Sequence, residues 1–323
     1  MSFVRTVLGD VPSNDLGVCY AHEHLIIDPS LPTRQDPDFL LDSVEIAVAE
    51  LADFHGAGGR AMIDSMPCDC GRNVLKLAEL SRRSGIHIVA PTGLHLAKYY
   101  APGHWGETLR EEELAALFVA DIEDGIDERD YHSASVRRTP HRAGVIKVAT
   151  GTAIAAREER ILAAAAQAHG QTGCPILTHT EQGAQAFEQV SRLQRDGANL
   201  ARVCLSHTDR RPDATFHREL LASGVKVEFD SAFRWSASDG NPTLDLVLAL
   251  APEFPTQILL GMDAARRRYW RHYGGGPGLD FLLTTFAREL RGRGLSTALL
   301  DRIFLTNPAE TFSFAAPHTS CPT

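Results

Sequence analysis

Short apolar runs alternate with longer amphipathic stretches along almost the whole chain, and this alternation limits the possible folds more than any other feature. The runs are mostly rich in Val, Ile and Leu and largely apolar on both faces, which is typical of strands in a buried parallel sheet. The eight predicted strands are Gly17–Tyr20, Ala61–Ile63, His87–Pro91, Gly144–Val148, Cys174–Leu177, Arg202–Leu205, Val225–Phe229 and Gln257–Leu260.

The stretches between these runs have the apolar spacing of helices, and most of them end near a glycine. The predicted helices are Leu40–Gly56, Asn73–Ser84, Thr108–Glu123, Arg157–Thr172, Ala184–Gly197, Thr215–Gly224 and Leu244–Ala251. An open doubly wound sheet usually has fewer strands and often a glycine-rich phosphate turn after the first one. No such turn follows an early strand, and the run Gly274–Gly278 comes late and follows no strand. The pattern therefore predicts an α/β fold, a (β/α)8 TIM barrel.

The number of domains follows from the same pattern. A length of 323 residues would allow two domains, but one barrel fills about 250 residues or more. The chain has no recognisable linker or internal repeat. We therefore expect a single domain over residues 1–314, followed by a C-terminal tail at 315–323.

The charge and the cysteine content narrow the classes of partner. The chain has 41 acidic and 32 basic residues, a net charge of −9, and a protein of that sign repels a nucleic-acid backbone. No apolar run approaches the ~18–20 residues that span a bilayer, and the N-terminus does not resemble a secretion signal. The 6 cysteines are too few and too scattered for a disulfide framework. We expect a cytoplasmic protein that acts on a small molecule, without nucleic-acid or membrane partners.

Polar residues of metal-binding types lie at or near the ends of five predicted strands. They are His22, His24, Lys147, His179, His207 and Asp263. In a parallel barrel the carboxyl ends of all strands open at one face, so these side chains should converge there. His22 and His24 are two residues apart in an extended segment and therefore point to the same side.

Four imidazoles, one carboxylate and a buried amine form a suitable site for divalent metals. Imidazole binds Zn, Mn, Co, Fe and Ni, and a carboxylate compensates charge. An ammonium among divalent cations would be repelled, so Lys147 must be either deprotonated or converted to a carbamate by carbon dioxide.

Each of these residues also has a simpler interpretation. A single strand-end histidine is more often a hydrogen-bonded core residue than a metal ligand, and a single lysine can extend to the surface. The other histidines, His95 among them, are interpreted in this way. Six such residues on one predicted face are not expected by chance, which favours a metal site.

The run Ala21–Leu25 (Ala-His-Glu-His-Leu), the Ile-Lys pair at Lys147, the strand-end histidines and the late Asp263 resemble the phosphotriesterase-like family of the metal-dependent amidohydrolase superfamily. The resemblance covers nearly the whole chain. It implies a binuclear centre, with one more buried ion and one more exposed ion. The implied ligands are His22, His24 and Asp263 for the first ion and His179 and His207 for the second.

The resemblance also implies that carbamylated Lys147 would bridge two divalent metal ions together with a hydroxide. Zinc is favoured, and Mn, Co, Fe and Ni stay open. The exposed ion would polarise the oxygen under attack, while Asp263 would orient the hydroxide, accept its proton and return it to the leaving group. The predicted catalytic residues are therefore Asp263, Lys147 and His207.

Substrate-binding residues are predicted in the loops after strands three, seven and eight. After Asp263, the six residues 266–271 contain four arginines, Arg266–Arg268 and Arg271, and a guanidinium binds phosphate or carboxylate bidentately. An Arg and a Tyr three and six residues after the metal Asp are similar to the family branch that acts on phosphorylated sugar lactones. The predicted substrate-binding residues are Arg266, Tyr269, Arg234, Lys98 and Tyr99.

The predicted function is hydrolysis of a carboxylic ester, a small anionic or phosphorylated sugar lactone. Hydrolysis of an N-acyl amino acid-like amide or of a phosphotriester by the same centre stays open, because the loop Gly93–Tyr100 differs from the tyrosine-bearing loops of acyl-lactone hydrolases in this family. A binding protein without turnover is less consistent with Lys147 and Asp263, since it would need neither a bridging ligand nor a proton acceptor. The resemblance also suggests a homodimer.

Overall fold

A computed structural model of the chain describes residues 2–235 and 240–315. The strands are β1 (Phe3–Thr6), β2 (Gly9–Pro12), β3 (Cys19–Glu23), β4 (Ala61–Asp64), β5 (His87–Val89), β6 (Pro91–Leu94), β7 (Val145–Ala149), β8 (Ile176–His179), β9 (Val203–Ser206), β10 (Lys226–Phe229) and β11 (Ile258–Leu260). The first helices are α1 (Leu31–Gln35), α2 (Val44–Gly56), α3 (Val74–Ser84), α4 (Trp105–Thr108), α5 (Glu111–Glu123) and α6 (Ala156–Thr172). They are followed by α7 (Ala186–Arg195), α8 (Ala214–Ala222), α9 (Pro242–Leu250), α10 (Ala287–Gly292), α11 (Thr297–Asp301) and α12 (Asn307–Thr311).

Strands β3 to β11 form a parallel (β/α)8 barrel in a single domain. Strands β5 and β6 are successive halves of one barrel strand, separated at Ala90. Strands β3, β4 and β5 pair in parallel, and β6 to β11 pair in chain order. The last strand returns to the first where the N–H of Asp263 donates to the His22 carbonyl across 3.0 Å. The barrel predicted from the alternating pattern is confirmed.

The bounds of some elements differ from the prediction. The first barrel strand is Cys19–Glu23, so that His22 lies inside the strand and not after it. Apolar periodicity does not detect this extension, because His22 and Glu23 are polar residues that are nevertheless buried. The third barrel strand continues to Leu94, past the predicted end at Pro91.

Some elements were not predicted at all. The antiparallel hairpin of β1 and β2 precedes the barrel, and three short helices, α10 to α12, follow β11. Of the predicted C-terminal tail, residues 316–323 lie outside the described residues. Ala315 is described, and its N–H donates to the Gly173 carbonyl across 2.8 Å.

A small apolar cluster fills the barrel interior below the polar face. Its strand residues range in size from Ala21 and Cys204 to Leu177, and they pack with Leu16 and Phe312 from outside the barrel strands. Larger aliphatic and aromatic residues pack between the strands and the surrounding helices. The barrel therefore has a closed apolar floor, and its polar side chains lie at the carboxyl ends of the strands.

Among the residues that the structure describes, no helix has both the length and the apolar character needed to cross a membrane.

Candidate active site

One cavity of about 200 Å³ opens at the carboxyl ends of the barrel strands. All six predicted metal ligands line it: His22, His24, Lys147, His179, His207 and Asp263. Each of them is nearly or completely shielded from solvent, apart from a partly exposed Asp263. The barrel geometry thus brings together residues that are up to 241 positions apart in the chain, from His22 to Asp263.

The first group of possible ligands comprises His22, His24 and Asp263, whose ligand atoms lie within 4.8 Å of one another. The Oδ1 atom of Asp263 is 3.7 Å from His22 Nε2 and 3.2 Å from His24 Nε2. Asp263 has a φ of 47°, a left-handed conformation that is uncommon outside glycine and is found at functional sites. This backbone turn directs the carboxylate toward the two histidines.

His22 is oriented by partners behind it. Its Nδ1 lies 3.0 Å from Ser206 Oγ and 3.2 Å from Glu228 Oε2. Burial lowers the pKa of His22 well below its usual range, and the neighbouring Lys147 adds to this effect. A neutral imidazole with Nδ1 engaged leaves Nε2 as the metal-binding atom, as in most histidine metal ligands.

His207 is held in the same way by Asp230. The Nδ1 atom of His207 contacts Asp230 Oδ2, and the other carboxylate oxygen accepts a bond of 2.9 Å from Arg210. His22, His207 and Asp230 also have ligand atoms within 4.8 Å. Because His207 and Arg210 already occupy the Asp230 carboxylate, we assign Asp230 as the partner that orients His207 and not as a ligand.

Lys147 is the least ordinary member of the cavity. It is 1% exposed, and its Nζ has no hydrogen-bond partner among the described residues. Burial lowers the pKa of this amine to about 8, so an appreciable fraction is neutral and nucleophilic near neutral pH. An unpaired buried amine surrounded by histidines fits a position that a metal-bridging carbamate would occupy.

Asp263 is held on its outer side by two guanidinium groups. Arg210 donates to Asp263 Oδ2 across 2.8 Å, and Arg234 donates to the same oxygen across 3.0 Å. Arg234 also donates to the carbonyl of Asp263 across 2.7 Å and to the hydroxyl of Tyr269 across 3.0 Å. Arg234 also lines the cavity, where its guanidinium holds Asp263 and Tyr269, and its contact with a substrate stays a prediction.

The other predicted substrate-binding residues fall into two groups. Arg266, Tyr269 and Tyr99 line the cavity. Lys98 lies further out, with 57% of its side chain exposed, and its Nζ donates to Glu181 Oε1 across 2.8 Å. That carboxylate is also 3.5 Å from His179 Nε2, so Lys98 reaches the site through Glu181.

The structure separates the run of arginines that follows Asp263. Only Arg266 among them lines the cavity. Arg267 pairs with Asp42, Arg268 with Asp38, and Arg271 with Asp53 and Asp280. Most of this local positive charge is therefore neutralised by acidic residues from the segment between β3 and the end of α2.

Several residues that line the cavity or contact the predicted ligands were not predicted from the sequence, above all Arg210, Asp230, Ser206, Glu228 and His95. Asp230 directly follows β10, just as His207 follows β9, so its strand-end position could have predicted that it lies near the site. His95, interpreted as an ordinary core histidine, lines the cavity, and its ring centroid is 4.8 Å from that of His179. Arg210 offered no periodic signal, because its contacts with Asp230 and Asp263 join side chains from three loops.

Comparison with known proteins agrees with this geometry. The model of the phosphotriesterase family matches residues 2–312, and the chain belongs to this family of binuclear metal hydrolases. It is 33% identical to the phospho-furanose lactonase of Mycoplasmopsis agalactiae over 98% of this chain and 92% of that protein. It is 26% identical to the N-acetyltaurine hydrolase of Danio rerio over 96% of this chain and 98% of that protein.

A solved structure supports the same assignment. The lactonase Lmo2620 from Listeria monocytogenes superposes with a TM-score of 0.88 at 30% identity, covering 97% of this chain and 100% of that one. The fold, the cavity and the family together make this protein a hydrolase of the lactonase and phosphotriesterase type.

Proposed function

We propose that the protein is a binuclear metal-dependent lactonase that opens a small phosphorylated sugar lactone. The observation that carries the proposal is that six residues of metal-binding type line the same cavity as Arg266 and Tyr269. The relation to a phospho-furanose lactonase supports the same substrate class.

The donor set suits two divalent ions. Four imidazoles and one carboxylate favour zinc and leave Mn, Co, Fe and Ni as alternatives. When bound, such ions acidify water and polarise a carbonyl oxygen. Lys147, as a carbamate, would supply the anionic bridging ligand that its buried, unpaired Nζ cannot supply as an amine.

The residues of this chain have separate tasks around the substrate. Asp263 accepts the proton of the attacking water and returns it to the ring oxygen that leaves. Arg210 and Arg234 fix the Asp263 carboxylate for this task. Arg266 and Tyr269 bind the phosphate at the outer wall, which places the lactone carbonyl over the histidines.

The proposal is tested by a hydrolysis screen on the metal-loaded protein. The panel contains a 5-phosphorylated pentonolactone, the same lactone without phosphate, an N-acyl amino acid and an aryl phosphotriester. We expect the highest kcat/KM for the phosphorylated lactone, and chelation should abolish hydrolysis. Full activity in the metal-free protein, or no hydrolysis of any lactone, would contradict the proposal.

Hydrolysis of an anionic amide is the second candidate. It is favoured by the similarity to an N-acetyltaurine hydrolase, because an N-acyltaurine or N-acyl amino acid also offers a negative charge to Arg266. The two candidates are separated by the same panel, in which a higher kcat/KM for the amide would select the second.

The proposal includes a cytoplasmic location, supported by the small number of cysteines, and a homodimer, supported by the resemblance to the family. Light scattering of the purified protein tests the homodimer.

A further inference from the structure

The segment between β3 and α2, residues 28–42, forms one wall of the cavity. Pro32 and Phe39 from this segment line the cavity. The segment is acidic, and arginines that follow β11 bind it. Arg267 donates to the Leu40 carbonyl across 2.6 Å, and Arg268 pairs with Asp38 at 3.1 Å. We call residues 28–42 the wall segment.

Arg266 makes the contact that matters most for the site. Its guanidinium carbon lies 3.9 Å from the ring centroid of Phe39, and its Nη1 contacts the carboxylate of Asp36 directly. The hydrogen bond from Arg266 lowers the pKa of Asp36, so Asp36 is ionised at neutral pH. In the free protein, the charge of Arg266 is therefore already neutralised by Asp36, with Asp38 Oδ2 as a more distant second partner at 3.8 Å.

This pair differs from the other arginine pairs in the cavity. Arg210 and Arg234 bind Asp230 and Asp263, which belong to the buried group around the predicted metal ligands. The Asp36 side chain, in contrast, is 43% exposed. A partly exposed ion pair contributes little to stability, so the Asp36 carboxylate can leave Arg266 at a modest cost, which includes the hydrogen bond of 3.1 Å that its Oδ1 accepts from the Asp38 N–H.

A phosphate monoester competes well for such an arginine. It carries a charge of about −1.5 to −2 at neutral pH and three acceptor oxygens, and it binds a guanidinium bidentately. A phosphate bound at Arg266 beside an unmoved Asp36 would meet like charge at short range. The phosphate must therefore displace the Asp36 carboxylate from Arg266 in order to bind.

We propose that Asp36 is a specificity-determining residue, a tethered carboxylate that occupies Arg266 in the free enzyme and is displaced by the phosphate of the substrate. The proposal deepens the proposed function and rests on it, because it takes Arg266 as the phosphate-binding residue. Asp36 then sets a threshold, since an anion uses Arg266 only if it outcompetes this carboxylate.

Asp36→Asn tests the proposal with little structural disturbance. Asp36 Oδ1 accepts the N–H of Asp38 across 3.1 Å, and an Asn side chain keeps this acceptor while it removes the charge. The matched control is Asp42→Asn, because Asp42 pairs at 3.5 Å with Arg267, which does not line the cavity.

The probe is ribose 5-phosphate, a sugar phosphate without a lactone bond, titrated calorimetrically into the metal-loaded proteins. We expect Asp36→Asn to bind it roughly two- to fivefold more tightly, as the loss of one exposed competing pair implies. Asp42→Asn should bind it as the wild type does. In an Arg266→Gln background, Asp36→Asn should not change the affinity, because the guanidinium for which Asp36 and the phosphate compete is absent.

Each opposite result overturns the proposal. Weaker binding by Asp36→Asn would mean that Asp36 holds Arg266 in place for the substrate. Three other results would show that Asp36 and the phosphate do not compete for Arg266. They are unchanged binding, no binding to either protein, and an effect of Asp36→Asn that persists with Arg266→Gln. These outcomes are distinguishable from failure of the proposed function, which is measured separately by the hydrolysis screen on the wild type.

Discussion

Arg210 donates to Asp263 Oδ2 across 2.8 Å, whereas the other oxygen of this carboxylate lies 3.2 Å from His24 Nε2. The two oxygens of Asp263 therefore have different environments, one facing the histidines and one facing guanidinium groups. Burial alone would raise the pKa of Asp263, but the hydrogen bond with His24 and the charge of Arg234 hold it well below its usual range. The carboxylate is thus kept ionised and in a fixed orientation.

Arg210→Met tests whether this orientation matters for turnover. Methionine keeps much of the length and removes the charge, so we expect kcat to fall about 10- to 100-fold, as for other partners of metal ligands. KM should change little, because Arg210 is not assigned to the phosphate. The measurement is steady-state lactone hydrolysis with metal content determined in parallel.

The matched control for this experiment is Arg211→Met. Arg211 is the next residue, but its side chain is 52% exposed and pairs with Asp213 at 3.6 Å. It should retain the kinetics of the wild type. A kcat for Arg210→Met within twofold of the wild type would contradict the positioning role.

Lys147→Met should remove the bridging ligand and with it stable binding of two ions. We expect the metal content to fall from two ions per chain to one or fewer, and activity to fall at least 100-fold, because the anionic ligand between the ions is lost. In the wild type, reconstitution with metal should be faster with added bicarbonate. Lys226→Met is the control, since Lys226 is also a buried strand lysine but donates to the Thr256 carbonyl. Two ions bound to Lys147→Met would contradict the role of the carbamate.

The sequence predicted the metal ligands better than their partners, for a physical reason. Lys147, His179 and His207 lie in or at the ends of successive strands, and the barrel brings strand ends together whatever the loops do. Arg210 contacts Asp230 and Asp263 only because three loops pack side by side. The order of residues in the chain does not predict which side chains of different loops are in contact. The same limit applies to Arg266 and Asp36, which are 230 positions apart.

Arg266→Ala should act selectively on anionic substrates. We expect KM for a phosphorylated lactone to rise at least tenfold, because a charge-assisted bidentate contact is lost. KM for the uncharged lactone should change less than twofold. Arg267→Ala is the control, because Arg267 binds the Leu40 carbonyl and Asp42 outside the cavity. Equal effects of Arg266→Ala on both lactones would contradict phosphate binding.

A histidine pair around Asp69 predicts a pH-dependent term in stability. His104 Nε2 and His132 Nε2 lie 2.9 Å and 2.8 Å from the two oxygens of Asp69. Burial alone would raise the pKa of Asp69, but the hydrogen bonds from His104 and His132 lower it to about 2. The hydrogen bond to Asp69 raises the pKa of His132.

The folded state holds the His132 proton more tightly than the unfolded state. The stabilisation from protonated His132 is therefore fully present below the unfolded pKa of about 6.5. It is lost as pH rises through the higher folded value, and also as pH falls toward the pKa of Asp69. We expect His132→Ala to lower the free energy of unfolding at pH 5.5 by less than about 1 kcal/mol and to leave it almost unchanged at pH 8.5. His55→Ala, at an exposed position of α2, should show no such difference between the two pH values. A larger loss at pH 8.5 would contradict the assignment.

Gly93 supports the position of Lys147 from the neighbouring strand. Gly93 pairs in register with Lys147, has a φ of +103°, and a Cβ built on it would lie 2.0 Å from the Lys147 carbonyl oxygen. An alanine must therefore strain the backbone and push β7 away from β6, so we expect Gly93→Ala to destabilise the protein by about 2–5 kcal/mol.

Because the same shift moves Lys147, Gly93→Ala should also lower metal affinity in whatever fraction stays folded. Thermal denaturation and metal analysis together measure both effects. Gly56→Ala is the control, because Gly56 ends helix α2 and an added Cβ meets nothing within 4 Å; it should be neutral or stabilising by up to about 1 kcal/mol. A Gly93→Ala protein with the stability and metal content of the wild type would mean that β6 does not set the position of Lys147.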